Sequence, residues 1–179
     1  MTSFIKAKYE YYRAISGDIE EHLPTLWELA TQCDTVTEIG VRKLVATWSF
    51  LYANPKKLTC IDIVHPDQYG PEGQQNFIMA VQSAKEAGID FEFILGNDLV
   101  IDIPESDLIF IDTDHTYEQL SKELTRFGNK ANKFLIFHDT NVESMTVAIY
   151  EFMSDNPSWI LLEKLDNNNG LIVLKRNHG

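Results

Sequence analysis

The sequence lacks any run of about 18 apolar residues, the length a bilayer-spanning helix needs, and its opening MTSFIKAKYEYYRAISGD has no apolar stretch of the kind a secretory leader carries. A membrane span and export are therefore not expected, and the chain reads as cytoplasmic. Cysteine is scarce. Cys33 and Cys60 are the only two, spaced for neither a metal cluster nor a disulfide framework. Both adjoin apolar segments and read as buried free thiols in a reducing compartment. Positive charge is scarce as well: 15 Lys and Arg face 27 Asp and Glu, a net charge of −12, and no basic run exceeds two residues. Such a surface repels phosphate backbones, which argues against nucleic acid as a partner. Internal repeats and low-complexity tracts are absent. The 179 residues, 44% apolar and 23% charged, are ordinary for one globular domain. The expected division is an N-terminal arm over 1–17 and a core over 18–179.

What the chain has is alternation. TVTEIG, LTCIDIV, FEFILG, DLIFID and KFLIFHD are short and mostly rich in Ile, Leu, Phe and Val, as strands covered on both faces are. LVATWSFLYAN, QQNFIMAVQSAKEAG, TYEQLSKELTRFGN and VESMTVAIYEFMSDN carry helical periodicity, and Gly88 and Gly128 stand where C-caps are expected. Ahead of them, SGDIEEHLPTLWELATQC offers Asp18 as an N-cap with Glu21 three residues on, a capping-box spacing. WILLEKLDNNNGLIVLKR closes as two strands joined through an Asn-Gly turn. Repeated strand–helix units require right-handed crossovers and a parallel sheet with helices on both faces. The expected fold is α/β, a Rossmann-like doubly wound sheet into which the hairpin brings one antiparallel strand. VHPDQYGPEGQQ, with two prolines and two glycines, is expected as a loop that folds over a ligand.

Ligands of an open α/β sheet bind outside the carboxyl ends of its strands. Those ends carry Glu38 and Gly40; Asp62; Asn97 and Asp98; Asp112, Asp114 and His115; and His138 and Asp139. The first turn fails the dinucleotide pattern G-x-G-x-x-G. With Gly40 as the middle glycine the others fall on Glu38 and Lys43, and with Gly40 first the next falls on Arg42. A carboxylate at Glu38 would repel a pyrophosphate. It suits a cation such as a sulfonium or ammonium group.

VTEIGV followed by Asp62 resembles the first two motifs of the class I S-adenosylmethionine-dependent methyltransferases. The resemblance implies seven strands in the order 3-2-1-4-5-7-6, the last antiparallel. It places Glu38 near the methionine moiety, Asp62 on the ribose hydroxyls, and Asn97 or Asp98 at the adenine amino group. EIGVRKLVATWSFL, DLIFIDTDHTYEQLSKEL and FLIFHDT resemble more narrowly the small methyltransferases related to cephalosporin-hydroxylase-like and sugar O-methyltransferases, which read E-x-G-V-x-x-G-x-S-T, D-x-D-H-x-Y and H-D. Glu38, Gly40, Val41 and Thr47 are kept; Leu44 replaces a second glycine and Ala46 a serine. Leu44 is expected to crowd the approach to the methionine carboxylate. Thr47 and Asp112 complete the implied cofactor set.

In some relatives the acid ending strand four and an acidic pair after strand five hold Mg²⁺, which here points to Asp112, His138 and Asp139. Imidazole is a poor ligand for Mg²⁺ and a better one for softer metals. The competing reading makes Asp112 and Asp139 caps of the following helices. His115 is the candidate general base, mostly neutral at pH 7 if its pKa stays near 6.5, with Asp114 in reserve. The resemblance implies O-methylation of a small hydroxylated molecule such as a sugar. Two alternatives are a catalytically degenerate methyltransferase fold that binds a ligand or partner, and a hydrolase built on Asp112 and Asp114. The expected partner is a small-molecule substrate, with neither nucleic acid nor membrane, and a homo-oligomer is left open.

Overall fold

The computed structural model describes residues 3–15 and 17–177. Residues 1, 2 and 16 of the expected N-terminal arm lie outside them. Seven strands form one sheet: β1 (Thr35–Ile39), β2 (Lys57–Asp62), β3 (Asp90–Leu95), β4 (Ser106–Ile111), β5 (Ala131–His138), β6 (Trp159–Leu165) and β7 (Leu171–Arg176). Their order is β3-β2-β1-β4-β5-β7-β6, parallel throughout β1–β5, with β7 antiparallel to both β5 and β6. This is the expected topology. Strand order reverses between β1 and β4, which sets their carboxyl ends side by side.

Alternate strand residues feed two cores. Leu108, Phe110, Phe134 and Ile136 pack beneath α1 (Ser3–Ile15), α2 (Leu23–Ala30), α3 (Thr47–Ala53) and α4 (Gly70–Ala87). Ile109, Ile111, Leu135 and Phe137 pack on the other face against α5 (Tyr117–Phe127) and α6 (Glu143–Asp155). Burial on both faces explains why the central strands are near-continuous apolar runs. The two edge strands differ: β3, expected to be covered on both faces, has no buried residue, and β6 exposes Ile160, Leu161 and Leu162.

Two local expectations, the Asp18 cap and the long loop, are corrected, and two others gain detail. The arm is largely a helix, α1, which buries Ile5, Tyr9 and Tyr12 against the core. Asp18 does not cap a helix; α2 starts after His22, which gives no side-chain cap, and Asp18 instead accepts from Asn169 Nδ2 (2.9 Å) and pairs with Arg42. The Pro/Gly-rich segment is a 3₁₀ turn, Pro66–Tyr69, running straight into α4 rather than a long loop. Gly88 and Gly128 are both C-caps as expected, Gly88 left-handed (φ 75°) and Gly128 right-handed, where the Phe152 ring lies 2.4 Å from where a Cβ would be.

Candidate active site

The turn after β1 is built by three left-handed residues: Gly40 (φ 85°), Arg42 (φ 45°) and Leu44 (φ 65°). Gly40 is required twice over, because a Cβ there would also lie 1.9 Å from the Asp112 carbonyl oxygen. Leu44 adopts the backbone that a glycine takes at no cost, and its side chain is wholly buried in the core. It is absent from the lining of the cavity beside it, which its neighbours Val45 and Ala46 face instead.

Asp62, at the end of β2, holds this turn. Its Oδ2 accepts from the backbone N–H of Val41 (2.8 Å) and Arg42 (2.9 Å), and its Oδ1 from that of Val64 (2.9 Å). A carboxylate offers about four lone-pair positions, so most of its capacity is spent on the scaffold. Glu38 is buried under α3 and accepts from Thr47 Oγ1 (2.7 Å) and Cys60 Sγ (3.4 Å). Burial pushes its carboxyl up to about 8 despite those hydrogen bonds. The acid is thus mostly neutral at pH 7, where an ionised carboxylate had been expected.

Two cavities flank the turn and share Gly40, Arg42 and Asp112 in their walls. One, of about 270 Å³, is lined by Glu38, Val41, Ala46, Tyr12, Asp18 and Glu72 among others. The other, of about 340 Å³, runs past Asp62, Asn97, Asp98, Asp114 and Gln119. Thr47 reaches the site only through Glu38. Asn97 Oδ1 accepts from Leu99 N (2.8 Å), an Asx turn, and Asp98 Oδ2 accepts from Gln119 Nε2 (3.3 Å). Asp114 faces this second cavity and does not join the charged cluster on the far side of Asp112.

That cluster joins the ends of β4 and β5. His115 Nε2 stands 2.8 Å from Asp139 Oδ2 and 3.6 Å from Asp112 Oδ1. His138 Nδ1 stands 3.1 Å from Asp139 Oδ2 and 3.4 Å from Asp112 Oδ1, while its Nε2 meets the Asn168 carbonyl at 3.0 Å. A carbonyl and carboxylates only accept, so both His138 nitrogens carry protons and the ring is an imidazolium. Burial opposes that charge, but the two aspartates override it and hold His138 up at about 10. Hydrogen bonds to Asp112 and Asp139 raise His115 to about 10 as well, which gives a direction to a shift the sequence left open between the helix N-terminus and the neighbouring acids. Asp139, although its burial works the other way, is held well below the usual carboxylate range by the same pairs. The capping reading of the two acids also fails. Thr116 caps α5, and α6 starts after Val142.

Ligand atoms of Asp112, His115 and Asp139 lie within 4.8 Å of one another, as do those of Asp18, His138 and Asp139. The first trio is the better donor set for a divalent cation. His138 has no free lone pair while both its protons are engaged, which places it outside the first set as a hydrogen-bonding neighbour.

Sequence reasoning missed the asparagines between β6 and β7. Read as a two-residue turn, Asp166–Gly170 is a longer loop with Asn168, Asn169 and Gly170 all at positive φ. It folds over the cluster: Asn168 Oδ1 accepts from Glu21 N (2.8 Å), Asn167 Oδ1 meets the buried His22 Nε2 (3.3 Å), and Asn169 O accepts from Asn141 N (2.9 Å). Three successive asparagines before a glycine were the available signal, since asparagine tolerates left-handed backbone and bonds locally.

No family model matches the chain, and no curated protein matches it. Solved structures do. An O-methyltransferase from Bacillus cereus in complex with S-adenosylhomocysteine is 13% identical with a TM-score of 0.70, the match covering 99% of this chain and 92% of that one. A methyltransferase from Geobacter sulfurreducens is 18% identical with a TM-score of 0.67, over 98% and 89% of the two chains. An O-methyltransferase of tomaymycin synthesis from Streptomyces achromogenes, in complex with S-adenosylmethionine, is 13% identical with a TM-score of 0.67, over 99% and 91%. Together with the strand order, these matches give the chain the Rossmann-like fold of the S-adenosylmethionine-dependent methyltransferases.

Proposed function

We propose that the protein is an S-adenosylmethionine-dependent O-methyltransferase acting on a small hydroxylated molecule such as a sugar. The observation that carries the reading is the pair of cavities meeting at Gly40, one walled by the buried Glu38 and the other by Asp62, Asn97, Asp98 and Gln119. A nucleoside with an amino-acid tail suits such a divided space. When bound, the cofactor supplies an electrophilic methyl group. Glu38 then faces a cation, which favours its ionised form, so binding near pH 7 should release a proton. Asp112, in the wall of both cavities and in the charged cluster, links the cofactor space to the mouth where an acceptor enters. His115 and Asp139 line that mouth with Asp18 and Arg42. For His115 to take the acceptor's proton it must first give up its own.

Calorimetry with S-adenosylmethionine and S-adenosylhomocysteine tests the reading. Both should bind, with heats that vary with buffer ionisation as proton release requires. Asp62→Ala should weaken binding by more than tenfold, on the order of 1.4 kcal/mol, through a loosened turn and lost ribose contacts. No binding at millimolar ligand would sink the proposal.

A divalent cation is the second part, with Asp112, His115 and Asp139 as its donors, in which case His115 is a ligand and not the base. It must compete with two imidazolium charges that already balance the two acids. Stimulation of turnover by Mg²⁺ or Mn²⁺ after chelation would support it; turnover that survives exhaustive chelation would leave the cluster self-neutralised. The reading as a binding module without catalysis draws on Asp62, whose carboxylate is largely occupied by backbone. Cofactor binding with no methyl transfer to any hydroxylated acceptor would favour it. The cytoplasmic location stays a proposal; among the described residues no helix is long and apolar enough to cross a membrane.

A further inference from the structure

Gln119 was not among the residues the motifs singled out. It sits in the first turn of α5 and lines the cavity that runs from Asp62 to Asn97. Its Nε2 donates to Glu123 Oε1 (2.8 Å) and to Asp98 Oδ2 (3.3 Å). A side-chain amide has two N–H donors on that nitrogen, and two carboxyl groups take them. Turning the amide over would set its oxygen against the same two acceptors. The orientation is therefore dictated, and Oε1, which has no partner among the described residues, is left to face the cavity.

The support beneath the amide is unusual. Glu123 is wholly buried; its Oε1 also accepts from Thr113 Oγ1 (2.6 Å), while its Oε2 is buried without a donor. Burial, with the Asp98 carboxylate in hydrogen-bond reach, pushes Glu123 up to about 8. Since Oε1 already accepts from two donors, the proton of the neutral form belongs on Oε2. Glu123 and Asp98 together receive both N–H donors of the amide.

We propose that Gln119 reads the base of the bound nucleoside, its Oε1 accepting from an exocyclic amine, while Glu123 and Asp98 act as positioning residues that keep the amide in that orientation. The inference rests on the cofactor reading above and adds the element of selection. A 6-aminopurine offers an N–H to Oε1. A 6-oxopurine offers an oxygen, which Oε1 repels, and a site built to hydrogen-bond an NH discriminates sharply against an analogue lacking it. The acceptors expected to meet the amine are partly spent, since Asn97 Oδ1 serves Leu99 and one Asp98 oxygen serves Gln119 itself.

Titration calorimetry with S-adenosylhomocysteine and its deaminated analogue S-inosylhomocysteine tests this. The unmodified protein should prefer the adenosyl compound by at least about tenfold. Gln119→Met should weaken adenosyl binding and bring the two affinities within about threefold, leaving the inosyl affinity nearly unchanged. Glu123→Gln should narrow the preference without abolishing adenosyl binding, because a second amide there lets Gln119 turn over; it carries the test if Gln119→Met fails to fold by circular dichroism. Adenosyl binding with an undiminished preference in the folded variants would overturn this inference alone. Failure of the unmodified protein to bind either compound would overturn it together with the cofactor reading.

Discussion

Leu44 holds a left-handed backbone that costs an L-residue on the order of 1 kcal/mol, and its fully buried side chain offsets that strain. An inversion follows. Leu44→Ala keeps the strain and loses the burial, about 3 kcal/mol, whereas Leu44→Gly loses the burial but relaxes the backbone. Urea unfolding should find the glycine variant more stable than the alanine variant by about 1 kcal/mol, the reverse of the usual order. An alanine variant as stable as the glycine one would show that the turn bears no strain. His115 yields a second prediction at this scale. Because Asp112 and Asp139 stabilise its charged form, single-turnover methylation by metal-free protein should climb through the alkaline range toward about 10 instead of levelling off above 6.5. His115→Ala should lower the rate roughly a hundredfold and remove that limb, with cofactor affinity unchanged. A profile flat above pH 7 would discard His115 as the base.

Among the elements, β1, β2, β4, β5 and the helices between them were legible because two-sided burial leaves an apolar run and helical packing leaves a stripe; β3, with no buried residue, was legible only from its own Phe, Ile and Leu content. The turn at Gly40 was legible because a glycine after a strand has few other uses. What escaped notice were the places where polar side chains do structural work over long separations. Asp18 carries the local spacing of a cap but is drawn instead to Asn169 and Arg42. The 66–72 segment has the composition of a loop, yet Pro66 and Pro71 sit in first turns, where proline's missing N–H costs nothing. Neither partner nor phase can be read from a window of a few residues. The asparagine loop gives the test at this scale. Asn169→Gly tolerates the φ of 66° and removes only the bond to Asp18, at about 1 kcal/mol; Asn169→Ala should cost more, since it adds the left-handed penalty. Equal losses in thermal unfolding would mean that the backbone there is free to relax.

For the whole molecule, two buried acids shape the response to pH. Glu38 and Glu123 both lie near 8 in the folded protein against an ordinary value of 4.5. Folded values above unfolded ones mean that their contribution is complete below about 4.5 and is lost as pH rises toward 8. Added to the mutual repulsion within a chain of net charge −12, this should make the protein markedly less stable at pH 8 than at pH 5. Glu123→Gln removes one titration, so the drop between those two pH values in urea unfolding should shrink; an unchanged drop would place the Glu123 carboxyl in an ordinary, solvated state. At the sheet edge β6 exposes Ile160, Leu161 and Leu162, an apolar strand with one side unpaired, of the kind another strand can add to. Leu161→Lys should leave the sedimentation coefficient unchanged if that edge stays solvated, and lower it if two copies meet there.

The loop over the charged cluster also sets an order of events. Its hydrogen bonds to Asp18, Glu21 and His22 span 145 to 151 positions of the chain. During synthesis the Gly40 turn can form once β1, β2 and β4 are out, since its partners Asp62 and Asp112 are by then present. The roof over His138 has to wait for residues 166–170. A chain still emerging from the ribosome would therefore hold the Gly40 turn well before it holds the roof over His138, and contacts of such separation are the slowest to close. On the proposed reading, the methyl acceptor's side of the site is therefore assembled after the cofactor's side.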